Sequence, residues 1–155
     1  MERILVVEDD DSTRELLTEA LGRWGYESEA VVNGKQGLEK FQSRLFSVII
    51  TDIRMPGMDG LSMLRRIRKR DKKIPIIVIT GYPSVDSAVD CLVEGADNYL
   101  VKPINLDDLK AKINKAFEKR RIQRSLDVRS RLNLVLLLLI PVWIGGGYLL
   151  GKMLR

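Results

Sequence analysis

VIITD, at residues 48–52, has the composition of a central strand in a parallel β-sheet: three branched apolar residues in a row, followed by a polar pair. IIVIT, at residues 76–80, is similar, with four branched apolar residues followed by one polar residue. Unbroken apolar runs of this kind belong to strands that are buried on both faces, because helices cover both sides of a parallel sheet. The sequence predicts five β-rich runs in all, near residues 3–8, 26–31, 47–51, 75–80 and 98–101.

Amphipathic segments alternate with these runs. Their apolar residues recur at spacings of three and four, which is typical of helices with one buried face. The segment 34–43 has the fewest such apolar residues, only Leu38 and Phe41. Five βα units in succession predict an α/β fold with a doubly wound parallel sheet. The other four stripes are Leu16, Leu17, Ala20, Leu21 and Trp24; Leu61, Leu64 and Ile67; Val85, Ala88, Val89 and Leu92; and Leu106, Leu109, Ile113 and Phe117.

Composition excludes several classes of function. The single cysteine, Cys91, rules out an internal disulfide and favours a reducing compartment. The chain has no histidine, which excludes a Ser-His triad, a histidine-ligated metal and phosphotransfer through a phosphohistidine of its own.

Charge is divided unevenly along the chain. Residues 1–118 hold 18 Lys and Arg against 20 Asp and Glu, whereas residues 119–155 hold 8 basic residues and one acid. The net charge of +5 therefore belongs to the tail. A nucleic-acid-binding fold should be basic where the fold is, so we predict no nucleic-acid partner for the main domain.

Polar residues close four of the predicted strands. Glu8-Asp9-Asp10-Asp11 follows the first strand, and Asp52, Thr80 and Lys102-Pro103 follow the third, fourth and fifth. In a doubly wound sheet, ligands bind beyond the carboxyl ends of the strands, where the strand order reverses. With the order 2-1-3-4-5 that point lies between the first and third strands. The acids of both strands should therefore meet there.

Three carboxylates in one place repel one another, and a divalent cation relieves the repulsion. Oxygen ligands without imidazole or thiolate fit Mg²⁺. Lys102 would add a positive charge for phosphate oxygens, and Thr80 a hydroxyl donor. Asp52 is a suitable nucleophile, since a carboxylate can form an acyl phosphate. Each residue alone is common as a helix cap or a solvated loop residue; together they predict a phosphoryl-accepting site.

Four stretches carry a resemblance to a known family. They are ILVVEDD (4–10), TDIRMPGMDG (51–60), IPIIVITGY (74–82) and GADNYLVKP (95–103). Over residues 2–118 the chain resembles the receiver domain of bacterial two-component response regulators. The resemblance implies a flavodoxin-like (βα)5 fold with strand order 2-1-3-4-5. It also implies a phosphoprotein of phosphorelay signal transduction, which catalyses only its own Mg²⁺-dependent phosphorylation and dephosphorylation and is otherwise not an enzyme.

The resemblance also implies roles for individual residues. Glu8 and Asp9 are the metal-binding acids, Asp9 the more direct ligand. Asp52 is the phosphoacceptor and a further ligand, and the backbone carbonyl of Arg54 completes the metal site.

The remaining implied roles concern switching. Thr80 and Tyr99 form the switch pair, and Lys102 contacts the phosphate through its ammonium group. The Lys102–Pro103 peptide is expected to be cis. The phosphodonor would be a separate histidine kinase or phosphotransfer protein.

The tail has the pattern of a membrane anchor. Residues 119–131 hold six basic residues and predict a juxtamembrane linker or helix. Residues 132–151 contain no charge, and as an α-helix they are about 30 Å long, which matches a bilayer core. Residues 152–155 form a short tail. A buried helix of a soluble fold is one alternative; a re-entrant segment, kinked at Pro141, is another.

Flanking charges predict the orientation. Six basic residues precede the predicted span and two follow it, so the receiver should face the cytoplasm from a single-pass position in the cytoplasmic membrane. Gly147 and Gly151 have the spacing of a helix-dimer contact and suggest a homodimer.

We expect a membrane-anchored, stand-alone response regulator that lacks a DNA-binding or enzymatic output domain and acts on an unidentified downstream protein. Two alternatives stay open: a phosphate sink that drains a kinase, and a membrane scaffold whose docking does not depend on phosphorylation.

Overall fold

A computed structural model describes residues 2–43 and 46–122, and within them the chain forms a five-stranded parallel sheet. The strand order is β2-β1-β3-β4-β5, as predicted. Every neighbouring pair of strands is parallel. The strands are β1 Arg3–Val7, β2 Glu27–Val31, β3 Val48–Asp52, β4 Ile76–Thr80 and β5 Asn98–Val101.

Helices follow the strands, and each of the five begins at a side-chain cap that the sequence supplies. The capping residues are Asp10, Asn33, Asp59, Ser84 and Asn105. Asp10 Oδ1 accepts from the Thr13 N–H at 2.7 Å, and Asp59 Oδ1 accepts from the Ser62 N–H at 2.6 Å. Caps satisfy amide groups that have no partner within the helix. The helices are α1 Asp11–Arg23, α2 Gly34–Ser43, α3 Gly60–Arg68, α4 Val85–Val93, which begins with a Ser84–Ser87 capping box, and α5, helical over residues 106–122.

The core lies on both faces of the sheet, and successive strand residues alternate between the two. Leu5 and Val7 of β1 point to the face covered by α2, α3 and α4, whereas Ile4 and Val6 point to the face covered by α1 and α5. All five residues of β3 and of β4 are buried, as expected for central strands of a parallel sheet. The flavodoxin-like α/β fold is therefore confirmed.

The apolar stripe of α4 corrects one expectation. The helix lies where it was predicted, but Val85, Val89 and Leu92 are each more than half exposed. The one buried residue of α4 is Cys91. The helix is short and packs on the sheet through this small side chain, so its larger apolar residues lie on outer faces. Periodicity identified the helix, but it could not tell which side faces the core.

The chain divides into two compact units, Met1–Arg120 and Arg121–Arg155. In the part that the structure describes, no helix has the length and apolar character needed to cross a membrane. The predicted membrane segment, 132–151, lies outside the described residues. The domain boundaries given above therefore stay predictions.

Candidate functional site

The carboxyl ends of β1 and β3 bring three acids together. Glu8 follows β1, Asp9 comes next, and Asp52 ends β3; one carboxylate oxygen from each lies within 4.8 Å of the others. The two strands are hydrogen-bonded neighbours, which places these residues at the reversal of strand order. The structure thus assembles the acids that the sequence predicted would meet.

Asp10 and Asp11, the other two acids of the run, are used differently. Asp10 is the N-cap of α1, and its pKa is lowered because the side chain and backbone of Thr13 hydrogen-bond to it. Asp11 is exposed in the first turn of α1 and pairs with Arg14. Both therefore serve the helix start rather than the acid cluster.

Lys102 directly follows β5 and reaches the acid cluster from there. Its Nζ lies 2.6 Å from Asp52 Oδ2 and 2.8 Å from Glu8 Oε1. Burial acts to lower the pKa of Lys102, but hydrogen bonds and charge attraction from Asp52 and Glu8 outweigh it, so the pKa is raised. The ammonium group is therefore held charged between two carboxylates. The Lys102–Pro103 peptide is cis, as expected.

Glu8 carries the clearest sign that this site suits a cation. Its side chain is 1% exposed, and its Oε2 is a buried oxygen without a hydrogen-bond partner. Burial raises the pKa of Glu8, the charge of Asp52 adds to the rise, and Lys102 opposes it. A buried acceptor without a partner costs free energy, and a metal ion bound among these oxygens would satisfy it. The donor set, three carboxylates without nitrogen or sulfur, fits Mg²⁺.

The loop after β3 fixes the orientation of Asp52. The residue is only 6% exposed, and its Oδ1 accepts from the Arg54 N–H at 3.1 Å. Gly60 starts α3 against the backbone of Asp52, where a Cβ would collide with the Asp52 carbonyl oxygen. Glycine at position 60 therefore allows α3 to begin close beneath the acid.

The predicted switch residues lie on neighbouring strands. Thr80 ends β4, is buried, and accepts the Tyr82 N–H on its Oγ1 at 3.1 Å. Tyr99 lies on β5, one strand further from Asp52, and its hydroxyl is 3.1 Å from Ser87 Oγ of α4. Tyr99 is thus linked to α4 rather than to the acid cluster.

One feature of the rim was not predicted. The guanidinium of Arg54 stacks over the ring of Tyr82, 4.6 Å from its centroid. Each residue lies two positions after a site residue, Asp52 or Thr80, and the two strands are adjacent. That equal offset on adjacent strands was the signal in the sequence that the two side chains would meet.

This arrangement of acids, lysine and threonine at the end of a parallel sheet defines a class of protein, and comparison with known protein families gives the same class. The sequence profile of the response regulator receiver domain matches residues 4–114. The chain belongs to this family, whose members are phosphorylated by histidine kinases.

Two regulators illustrate its relatives. The transcriptional regulatory protein ZraR of Klebsiella oxytoca is 40% identical over 122 residues, which are 79% of this chain and 28% of that protein. The DNA-binding transcriptional regulator NtrC of Escherichia coli K12 is 37% identical over 121 residues, 78% of this chain and 26% of that protein. The chain thus spans about a quarter of the length of the curated relatives it matches.

Solved structures support the same fold. A CheY-like receiver domain protein from Methanospirillum hungatei superposes with a TM-score of 0.76 at 32% identity, covering 79% of this chain and 98% of the other. The response regulator TrrA of Thermotoga maritima, solved in complex with Mg²⁺ and BeF, gives a TM-score of 0.69 at 43% identity, covering 75% of this chain and 99% of the other. The acid cluster and the family together confirm Mg²⁺ as the cofactor.

Proposed function

We propose that this chain is a membrane-anchored receiver that accepts a phosphoryl group on Asp52 and switches protein–protein contacts in response. The observation that carries the proposal is the position of Lys102, whose Nζ contacts Asp52 and Glu8 at 2.6 and 2.8 Å. A cation held beside the acceptor carboxylate is suited to the oxygens of an incoming phosphoryl group.

The reaction needs little from the protein beyond position and charge. An oxygen of Asp52 attacks phosphorus, a P–O bond forms, and the P–N bond of the donor's phosphohistidine breaks. The departing imidazole nitrogen keeps the electron pair of that bond. When bound, Mg²⁺ supplies positive charge that neutralises phosphoryl oxygens. Lys102 gives up its contact with the Asp52 carboxylate and takes phosphoryl oxygen in its place.

The first test measures phosphorylation directly. Residues 1–120 should accept phosphate from acetyl phosphate when Mg²⁺ is present and not when it is chelated. Asp52→Asn should abolish labelling. Asp59→Asn is the matched control, because asparagine preserves the cap of α3 and position 59 is exposed. Stoichiometric labelling of Asp52→Asn would refute the assignment.

The second test concerns the switch. We propose that the Thr80 hydroxyl moves toward the phosphoryl group and Tyr99 turns into the space that it leaves. The exposed apolar side chains of α4, with Val101 of β5 beside them, would form the responding surface. Thr80→Ala should keep most labelling and lose the NMR shift of Tyr99 on phosphorylation. An unchanged shift in the variant would exclude this coupling.

The third test concerns the anchor. The absence of charge from residues 132–151 supports a single span, and the six basic residues before it against two after it support a receiver on the cytoplasmic side. The full chain should stay with membranes through alkaline carbonate, whereas residues 1–120 should remain in solution. Release by salt alone would reduce the tail to an electrostatic contact.

The lifetime of the phosphoryl group separates a switch from a phosphate sink. A Cβ on Gly81 would meet only the Lys102 side chain, at 3.8 Å, so this position leaves space beside the site. Hydrolysis within seconds that is slowed by Gly81→Ala would favour the sink. Partner binding that ignores phosphorylation would favour the scaffold.

A further inference from the structure

The loop between α3 and β4 carries exposed cations that the phosphoryl site does not use. Lys69, Arg70 and Lys72 are exposed, and none has an ion-pair partner within residues 2–43 and 46–122. The loop joins the end of α3 to the start of β4 and therefore lies at the amino ends of the strands. That is the end of the sheet opposite Asp52.

Arg68 fixes the backbone of this loop. Its Nη1 donates to the carbonyls of Asp71 at 3.2 Å and Ile74 at 2.7 Å. Its Nη2 donates to the carbonyl of Gly95 at 2.8 Å and to Asp97 Oδ2 at 3.1 Å. The loop is thus held from inside by a side chain that is only 15% exposed, while its own cationic side chains extend into solvent.

The same contacts place the loop beside the end of α5. Asp97, which accepts from Arg68, also accepts from Lys119 Nζ at 2.6 Å. Arg120 donates to the carbonyl of Ser47, just before β3, at 2.9 Å. Lys119 and Arg120, the last residues of the first compact unit, therefore lie at the end of the sheet that carries the three exposed cations.

Charge separates the two ends of this unit. The acids Glu8, Asp9 and Asp52 gather at the carboxyl ends of the strands, while Lys69, Arg70 and Lys72 extend from the amino ends. An anionic plane would attract the three cations, whereas the acids at the other end are offset by Lys102 and, when it is bound, by Mg²⁺. The amino ends of the strands would therefore face the plane. No exposed large apolar residue accompanies the three cations in this loop, which suits contact with headgroups rather than insertion.

We infer, on the basis of the membrane anchor proposed above, that Lys69, Arg70 and Lys72 bind anionic lipid headgroups and hold the receiver with Asp52 facing away from the bilayer. The anchor would keep the loop near the surface, which raises its effective concentration there. The phosphoryl site would then lie on the side of the domain that the bilayer does not cover.

The test replaces the anchor with an artificial tether, so it does not depend on whether residues 132–151 span a bilayer. Residues 1–131 with a C-terminal hexahistidine tag are bound to nanodiscs containing a nickel-chelating lipid and a paramagnetic headgroup lipid. With phosphatidylglycerol in the discs, the amide NMR signals of residues 69–73 should broaden far more than those of residues 34–37, at the other end of the sheet. With phosphatidylcholine, or in about 1 M salt, the difference should vanish.

Two double variants make the test specific. Lys69→Glu with Lys72→Glu should lower the ratio of docked to undocked receiver at least about thirtyfold, since each lysine at an anionic surface contributes about 1 kcal/mol. Lys35→Glu with Lys110→Glu makes the same charge change at exposed positions outside the loop and should preserve docking. Equal loss in both variants would overturn the inference.

Two further outcomes are decisive. Broadening of residues 69–73 that ignores phosphatidylglycerol would also overturn the inference. So would a phosphatidylglycerol-independent affinity for duplex DNA that Lys69→Glu with Lys72→Glu abolishes, because the loop would then be a nucleic-acid surface. Failure of the anchor itself is measured separately, by carbonate extraction of the full chain.

Discussion

The two ends of the sheet hold buried charge in different ways. At the amino ends, the Arg68 guanidinium donates to three backbone carbonyls and to Asp97, whose carboxylate is shared with the Ile76 N–H and Lys119. At the carboxyl ends, three acids lie together, Lys102 contacts two of them, Glu8 and Asp52, and one oxygen of Glu8 has no hydrogen-bond partner. A network whose donors and acceptors are paired stabilises the fold, whereas an incomplete one is stabilised when a ligand completes it.

The largest expected effect is at the amino ends. Arg68→Leu should lower the free energy of unfolding by about 3 kcal/mol, because it leaves three carbonyls and a carboxylate short of a donor. Urea unfolding measures the loss. Arg66→Leu, two positions earlier and exposed, is the control and should change stability by about 0.5 kcal/mol or less. Similar losses in both variants would show that the Arg68 hydrogen bonds stabilise the fold no more than an exposed arginine does.

Mg²⁺ should stabilise the folded protein by binding to the acids at the carboxyl ends of the strands. At about one hundred times its dissociation constant, the ion should raise the free energy of unfolding by about 2.7 kcal/mol, because it binds the folded state alone. Asp9→Asn should lose most of this gain at the same Mg²⁺ concentration, whereas Lys69→Glu with Lys72→Glu should keep it. A gain that survives in Asp9→Asn would locate the ion elsewhere.

Glu8→Gln should have opposite effects with and without the ion. Without Mg²⁺ the variant should be more stable than the parent by about 1 kcal/mol, because it removes a charge from a buried cluster of like charges. With saturating Mg²⁺ the order should reverse. Thermal unfolding in chelator and in Mg²⁺ measures both. A destabilised variant in chelator would mean that the Glu8–Lys102 pair outweighs the repulsion.

Lys119→Met tests the outer part of the Arg68 network and should have the smallest effect. Its ammonium contacts Asp97, as Arg68 does, but the Lys119 side chain is 56% exposed. Exposed ion pairs contribute little, so the expected loss is about 0.5 kcal/mol or less by urea unfolding. A loss comparable to that of Arg68→Leu would mean that the pairing of Asp97 outweighs the three carbonyl contacts.

The sequence predicted the strands well because periodicity and burial coincide in a parallel sheet. Val48–Asp52 and Ile76–Thr80 are apolar on both faces, and each is buried throughout. The stripe of α4 carried the same kind of signal but faces solvent, since an apolar stripe reports a helix and not what covers it.

The candidate site was predictable in part for a similar reason. Strand order places Glu8 and Asp52 together, and that order follows from the succession of βα units. In sequence, Asp10 and Asp11 could not be distinguished from Glu8 and Asp9 as metal ligands. In the structure, Asp10 caps α1 and Asp11 lies in its first turn, so neither belongs to the acid cluster. The Arg68 network could not be predicted from the sequence. Its hydrogen-bond partners are mostly backbone carbonyls, which every residue has, so no residue type indicates them.

Cys91 is a natural probe of how often α4 moves away from the sheet. It is the chain's one cysteine, it is 1% exposed, and burial, followed by the charge of Asp90, raises the pKa of its thiol. A thiol reagent can react only after α4 has moved off the sheet, so the labelling rate reports how often that opening occurs. Comparing the labelling rate of Cys91 in the unphosphorylated and phosphorylated protein would therefore show whether phosphorylation changes how often α4 opens, without an introduced probe.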